Sequence, residues 1–289
     1  MKPAPFRYHR PSTRSEVDRL LADLGDDAKI LAGGQSLVPI LNMRLAAPAH
    51  LIDINRLAGE SGEPVAADGA VVVGPLVRHE ALERSPLAAD RLPLLRETVQ
   101  YVAHPAIRSR GTVVGSIAHA DPAAELPAAF ALLGGEARAR SVRGTRAIPA
   151  HELFTSQLET SLEPGEWIEE VRFPVDAAID GYAVEEFARR HGDYAVCGVL
   201  ASASRVSDGA AIALSFISMG ATPLRIELPP IAAGDVGGDA LSAAVAAAVR
   251  DRLEPEADLH ATVEYRTALA ERLGARAARR AARMALEES

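Results

Sequence analysis

Helical periodicity is clearest near the start of the chain. Apolar residues recur every three or four positions between residues 17 and 24, as on one face of an amphipathic helix. Thr13 and Glu16 have the spacing of a capping box, and Gly25 stands where a helix commonly ends. The pattern therefore predicts a helix over residues 14–24.

Two short apolar runs follow this helix and predict strands over residues 29–31 and 51–54. The segment between them predicts a short helix over residues 37–45, interrupted near Pro39. A strand, a helix and a second strand make a βαβ-like unit from roughly the first 55 residues.

The middle of the chain mixes helical and strand patterns. Predicted strands lie at residues 70–73 and 167–173, a hairpin at residues 136–141 and 145–148, and helices at residues 78–84, 93–102 and 125–133. Residues 104–125 are rich in small side chains and poor in apolar periodicity. We interpret them as a loop that crosses a ligand more than as a core element.

The last third of the chain changes pattern. It predicts three strands, at residues 182–188, 195–206 and 210–219, followed by two helices, at residues 239–253 and 259–284. Strands followed by helices indicate a separate α+β domain. The boundary is expected within residues 174–180, so the predicted domains are residues 1–176, with subdomains 1–55 and 56–176, and residues 177–289.

Composition narrows the class of protein. The chain has 289 residues, is 48% hydrophobic and carries a formal net charge of -8, which argues against broad nucleic-acid or anionic-membrane binding. Its single cysteine, Cys197, excludes an internal disulfide and a cysteine-ligated cluster held by this chain alone. Neither an apolar targeting segment nor a run of ~20 apolar residues is present in the sequence, so we expect a cytoplasmic protein without a transmembrane segment.

Candidate chemistry begins at the turn after the first predicted strand, in the stretch Gly33-Gly34-Gln35-Ser36. Glycine has no Cβ, so backbone amides there could approach a bulky anion such as a pyrophosphate. An ordinary tight turn is the alternative. The stretch is neither a dinucleotide fingerprint nor a Walker loop, because no G-x-G-x-x-G occurs and neither lysine, Lys2 or Lys29, follows a glycine-rich loop. Val38 stands where a nucleophile elbow needs its second glycine.

Four motifs, in order, resemble the flavin-binding medium subunit of the molybdenum hydroxylases, the family of the carbon monoxide dehydrogenase medium subunit and the xanthine dehydrogenase FAD subunit. The first comprises Ala32-Gly33-Gly34-Gln35-Ser36-Leu37, Arg44-Leu45 and Leu51-Ile52-Asp53-Ile54; the second Ile107-Arg108 through Gly115-Ser116 and Ala118 through Glu125; the others Arg189-Arg190-His191-Gly192-Asp193-Tyr194-Ala195 and Glu264-Tyr265-Arg266. The resemblance extends over nearly the whole chain.

The resemblance implies an α+β fold: a two-subdomain FAD-binding domain of the vanillyl-alcohol oxidase type, then a C-terminal α+β domain with an antiparallel three-stranded sheet and helices. It implies FAD as the cofactor, and neither catalytic nor metal-binding residues in this chain. The positions it places around FAD are Leu31, Ala32, Gly33, Gly34, Gln35, Ser36, Leu37, Thr112, Val114, Gly115, Ser116, His119, Asp121, Glu125 and Tyr194.

The same resemblance implies roles for some of these residues. Amides from Ala32 to Ser36 would wrap the FAD pyrophosphate, and Thr112, Gly115 and Ser116 would line the other side of the cofactor. Glu125 would accept a hydrogen bond from a hydroxyl of the flavin chain. Tyr194 would lie near the isoalloxazine ring.

Two positions depart from the family pattern. Val114 stands where glycine is common, and a β-branched residue would be strained there if the backbone needed a positive φ. A lysine often found beside the flavin is replaced in the region of Glu185 and Glu186. Both departures bear on how well this chain holds FAD.

The resemblance also implies partners: a large molybdenum-cofactor subunit that oxidises the substrate and a small iron-sulfur subunit that relays electrons to FAD. The final acceptor would be NAD, oxygen or a quinone. Two other functions stay open, a self-sufficient FAD oxidoreductase of the same fold and a flavin-free structural subunit, the latter motivated by Val114.

Overall fold

The N-terminal unit is a small parallel sheet with helices. The computed structural model describes residues 2–175 and 179–287. Its first elements are β1 (Arg7–His9), α1 (Arg14–Leu24), β2 (Ala28–Leu31), α2 (Leu37–Met43) and β3 (His50–Asp53). The sheet has the order β1-β3-β2, and both β1 and β2 run parallel to β3. The predicted βαβ unit is therefore present, and the sequence pattern missed β1.

The first helix has the predicted capping box. The side chain of Thr13 accepts a hydrogen bond from the Glu16 amide, and the Glu16 carboxylate accepts one from the Thr13 amide. Gly25 ends the helix with a φ of +54°. Val17 and Leu21 are buried and pack with Trp167 in a small core that joins α1 to the middle of the chain.

The middle of the chain combines a sheet with short helices. Its elements are β4 (Val65–Ala67), β5 (Ala70–Val73), α3 (His79–Arg84), α4 (Pro86–Arg91), α5 (Pro93–Tyr101), α6 (Pro105–Arg108), α7 (Val113–His119), α8 (Glu125–Leu132), β6 (Glu136–Ser141), β7 (Gly144–Pro149), α9 (Ala150–Leu153), β8 (Phe154–Ser156), β9 (Glu159–Thr160) and β10 (Trp167–Pro174). The main sheet has the order β4-β5-β10-β6-β7 and is antiparallel throughout.

The prediction of a loop over residues 104–125 was wrong for most of that stretch. It contains α6 and α7, and Val113, Val114 and Ile117 are buried in the core. The start signals are local: Pro105 occupies the first turn of α6, and the Thr112 side chain accepts from the Gly115 amide at the start of α7. Both helices are too short for their periodicity to be visible in the sequence.

The C-terminal part is a sheet covered by two helices. Its elements are β11 (Gly181–Phe187), β12 (Cys197–Val206), β13 (Gly209–Ile217), β14 (Ile226–Glu227), β15 (Ile231–Ala232), α10 (Asp239–Arg252) and α11 (Val263–Glu287). The three predicted antiparallel strands are β11, β12 and β13, and the short strands β14 and β15 both pair with β13. Cys197 lies buried in β12, where burial raises the pKa of its thiol to about 12.

Helix α11 begins four residues later than predicted and packs on this sheet through alanines. Its buried face includes Ala270, Ala277, Ala278, Ala281, Ala282 and Ala285. Small side chains let the helix approach closely, and Gly181 of β11 meets its backbone. A Cβ on Gly181 would lie 2.0 Å from the Ala281 carbonyl oxygen.

The predicted boundary between residues 176 and 177 lies outside the described residues. Among the residues that the structure does describe, no helix combines the length and apolarity that crossing a bilayer requires.

Candidate functional site

The two glycine-rich loops meet in the structure. Gly33 packs so closely on the backbone of the second loop that a Cβ there would lie 2.6 Å from the Arg110 carbonyl oxygen and 3.0 Å from the Thr112 nitrogen. Gly34, the next residue, has a φ of +72°. Glycine at position 33 is therefore required by close approach, and at position 34 by the backbone conformation.

The first loop leaves a run of amides unused. Across the described residues, the N–H groups of Gly33, Gly34, Gln35 and Ser36 find no hydrogen-bond acceptor. All four residues are half-buried. Four consecutive donors that no protein acceptor uses can bind an acceptor-rich ligand such as a pyrophosphate. The loop therefore fits the anionic part of FAD.

The loop itself is held from its carbonyl side. The Gln35 side chain donates to the Gly33 carbonyl at 2.9 Å, and the Asn55 side chain donates to the Ala32 carbonyl at 2.8 Å. Leu31, the last residue of β2, accepts the Ile54 amide at 3.1 Å. These contacts turn carbonyl oxygens toward the protein and leave the amides free to face a ligand.

The second loop supplies the start of α7. Thr112 caps the helix through Gly115, with 3.1 Å between the Gly115 nitrogen and the Thr112 Oγ1. Ser116 and His119 lie further along the same helix and are half-buried. Val114 is helical, buried and without a positive φ, so the strain that would have argued against a cofactor is absent at this position.

A buried histidine, His79, packs against the second loop at Gly111. His79 is 5% exposed, and a Cβ on Gly111 would lie 2.9 Å from its ring. Burial lowers the pKa of His79 to about 4, and the nearby Arg108 and Arg78 cations act in the same direction. The imidazole is therefore neutral at physiological pH and cannot serve as a cation for an anionic ligand.

Two glutamates, Glu125 of α8 and Glu186 of β11, have raised pKa values. Burial raises the pKa of Glu125 to about 7, with the Asp121 carboxylate adding to the effect. Burial, followed by repulsion from Glu125, raises the pKa of Glu186 to about 8. Near neutral pH the pair therefore holds protons that isolated glutamates would release. The neighbouring Glu185 forms an ion pair with Arg276.

Tyr194 lies at the edge of a cavity of about 700 Å³ and is 66% exposed. Asp121 and Arg266 line the same cavity. Arg266, from the last motif, is buried, donates to the Val196 carbonyl and pairs with Asp258 at 2.6 Å. Arg266 therefore links the start of α11 to the segment that contains Tyr194 and Val196.

The predicted site residues fall into two groups. Residues 31–37 and 112–116 meet at the glycine contact, while Asp121, Glu125 and Tyr194 lie toward the C-terminal part. Val114 faces the core of the protein. Sequence reasoning missed Asn55, which contacts the first loop, and Arg78, which contacts the second loop and Asn55; the one sequence signal was the position of Asn55 directly after the first motif.

Comparison with protein families gives two adjacent matches. The family described as FAD binding domain in molybdopterin dehydrogenase matches residues 4–176. The family described as CO dehydrogenase flavoprotein C-terminal domain matches residues 182–281.

Individual proteins are similar over nearly their full lengths. The 6-hydroxypseudooxynicotine dehydrogenase complex subunit alpha of Paenarthrobacter nicotinovorans is 40% identical over 92% of this chain and 90% of its own. The caffeine dehydrogenase subunit beta of Pseudomonas sp. strain CBB1 is 39% identical over 93% and 92%. A solved carbon monoxide dehydrogenase chain from Hydrogenophaga pseudoflava superimposes with a TM-score of 0.91 at 34% identity, covering 98% of this chain and 99% of that one.

Proposed function

Since this chain belongs to the family of FAD-binding medium subunits of the molybdenum hydroxylases, we propose that it carries electrons, through FAD, from an iron-sulfur partner to an external acceptor. It is an oxidoreductase subunit that binds FAD. FAD, when bound, supplies the redox chemistry; the protein supplies binding, orientation and electrostatics.

The observation that carries the proposal is the contact of the two glycine loops beside four unused amides. The amides of Gly33 to Ser36 would bind the pyrophosphate, and Thr112, Gly115 and Ser116 would line the cofactor from the second loop. Leu31, Ala32, Leu37 and Val114 would shape the loops around these contacts rather than bind through their side chains.

The flavin end of the cofactor would lie toward the C-terminal part. Glu125 would accept a hydrogen bond from the flavin chain when ionised, and Tyr194 would cover one side of the ring system. Asp121 and His119 would complete this end. The cavity beside Tyr194 leaves a side open from which the acceptor, NAD, oxygen or a quinone, could reach the flavin.

This arrangement matches a division into an FAD-binding domain, residues 1–176, with subdomains 1–55 and 56–176, and a C-terminal domain, residues 177–289. The family matches that end at residue 176 and resume at residue 182 support the division. The protein would work in the cytoplasm.

Substrate oxidation would belong to a molybdenum-cofactor large subunit and the relay of electrons to an iron-sulfur small subunit. Similar medium subunits serve enzymes named for hydroxypseudooxynicotine, caffeine and carbon monoxide. Substrates this different, paired with such similar chains, favour substrate selection outside the FAD subunit.

Purification of the chain under native conditions tests the proposal. We expect a yellow complex with molybdenum and iron-sulfur subunits, whose flavin is reduced by substrate only when all three subunits are present. Substrate turnover by the isolated yellow chain would instead establish a self-sufficient oxidoreductase. A colourless chain that takes up no FAD would establish a flavin-free subunit.

A further inference from the structure

Asn55 and Arg78 connect the carbonyl sides of the two glycine loops. We propose that this pair, the Asn55–Arg78 bridge, is a positioning device that holds the first loop in register with the second, so that the free amides face the cofactor. The inference rests on the proposed binding of FAD between these loops. Neither residue is expected to touch the cofactor.

Asn55 is held in one orientation. Its Nδ2 donates to the Ala32 carbonyl at 2.8 Å and to Asp53 Oδ1 at 2.6 Å, while its Oδ1 accepts from Arg78 Nη2 at 2.5 Å. The reverse orientation of the amide would set a donor against the guanidinium and an acceptor against two oxygens. The Asn55 amide N–H also donates to Asp53 Oδ1, at 2.9 Å, which fixes the backbone from which the side chain projects.

Arg78 contacts the second loop through both its backbone and its side chain, and its side chain also contacts Asn55. Backbone bonds on either side, from the His79 amide to the Gly111 carbonyl and from the Val113 amide to the Val77 carbonyl, place Arg78 opposite Thr112. Its Nη1 donates to the Arg110 carbonyl. The same guanidinium thus binds the second loop directly and the first through Asn55.

This geometry has a direct consequence for the unused amides. In a planar trans peptide the C=O and the following N–H point in opposite directions. Because Asn55 binds the Ala32 carbonyl, the Gly33 N–H must point away from the bridge. Loss of the bridge would let this peptide rotate. Part of the free energy of FAD binding would then be spent on ordering the loop, so the affinity would fall.

Substitutions in the full chain, purified in the assembly in which it occurs, separate positioning from folding. Asn55→Ala and Arg78→Met each remove one half of the bridge, and Arg78→Lys keeps the charge but not the two-pronged geometry. Arg96→Met is the matched control, because Arg96 is also half-buried and also donates to a backbone carbonyl, that of Glu83, at 2.9 Å. The measurements are the FAD dissociation constant of the deflavinated protein and its thermal midpoint without FAD.

We expect Asn55→Ala and Arg78→Met each to raise the dissociation constant about tenfold, the size of one hydrogen bond to a charged group. In the double variant the dissociation constant should rise by much less than the product of the two single increases, because both changes break the same bridge. Arg78→Lys should resemble Arg78→Met, and thermal midpoints without FAD should match that of Arg96→Met.

Three results would overturn the inference. These are dissociation constants within twofold of the Arg96→Met control, multiplicative effects in the double variant, or wild-type affinity of Arg78→Lys, which would reduce the role of Arg78 to its charge. If wild type and the control themselves fail to bind FAD, the proposed function fails instead, so the two failures are distinguishable.

Discussion

The glycine loops and the C-terminal helix–sheet contact both press backbone against backbone, yet they leave different groups unsatisfied. At Gly33 the loops meet, while four amides find no acceptor within residues 2–175 and 179–287. At Gly181 the sheet meets a helix of alanines whose backbone is already hydrogen-bonded. Under the proposed function, close approach in the first region shapes a binding surface, whereas in the second it serves packing.

The difference teaches that a glycine contact alone does not indicate a site. Both glycines would clash with a carbonyl oxygen if they carried a Cβ. What distinguishes Gly33 is the run of backbone donors beside it, which no acceptor in the described part of the chain uses and which a ligand can use. The two positions therefore make a matched pair for mutation.

Of these substitutions, Gly33→Ala should have the largest effect, and the quantity that changes should be the affinity for FAD. The new methyl group would force the two loops apart. Overpacking typically costs ~1–3 kcal/mol, and a loss of ~2.7 kcal/mol in binding free energy corresponds to about 100-fold weaker FAD binding. Titration of deflavinated protein with FAD measures this. Gly62→Ala is the control, because a Cβ there meets nothing within 4 Å. Equal affinities for the two variants would contradict a role of the loop contact in binding.

Gly181→Ala should act on stability instead. Helix α11 must shift to relieve the contact with Ala281, so the free energy of unfolding should fall by ~1–3 kcal/mol. Denaturant unfolding, with Gly234→Ala as the unobstructed control, measures the loss. The folded fraction should still bind FAD with unchanged affinity; a weaker affinity would break the distinction between the two regions.

Thr112→Ala should have a smaller effect on both quantities. The change removes the cap of α7, which is typically worth ~1 kcal/mol, and loosens the loop that supports Gly33. We expect about a fivefold weaker FAD affinity together with a slightly lower thermal midpoint. Thr112→Ser keeps the capping oxygen and should have the FAD affinity and thermal midpoint of the wild type. If Thr112→Ser instead behaves like Thr112→Ala, capping is not the cause.

The last prediction concerns the pH dependence of stability in the absence of FAD. Glu125 keeps its proton in the folded state up to about pH 7, whereas an unfolded glutamate releases it near pH 4.5. The folded state therefore binds more protons between these values, and this group lowers stability as pH rises from about 4.5 to 7. In thermal unfolding without FAD, Glu125→Gln should gain stability over wild type across that window. A constant difference between the two proteins would contradict the assignment.

Local signals predicted much of the fold. The capping box of Thr13 and Glu16 and the alternation in β11 to β13 act over a few residues and are visible in the sequence. The long helix was predicted to start at residue 259 but begins at Val263, because Asp258 accepts the amides of His260 and Ala261 and holds this segment in a turn. Such side-chain competition for the backbone is not visible in apolar periodicity.

The candidate site divides in the same way. The glycines and small residues of both loops stand in short motifs, so the resemblance could place them. Asn55 and Arg78 lie 23 residues apart and meet only through the fold. Asn55 directly follows the first motif, but nothing in the sequence connects it with Arg78. Within the candidate site, the sequence therefore does not reveal residues such as Asn55 and Arg78, which contact the carbonyl groups of the loops.

The most direct test of the account is hydrogen exchange at the first loop. The amides of Gly33 to Ser36 have no acceptor in the part of the chain that the structure describes, so they should exchange rapidly in deflavinated protein. Saturating FAD should slow exchange in a peptide spanning residues 31–37, with a smaller change over residues 110–116 and none over α11. Unchanged exchange of residues 31–37 at saturating FAD would contradict the claim that these loops hold the cofactor.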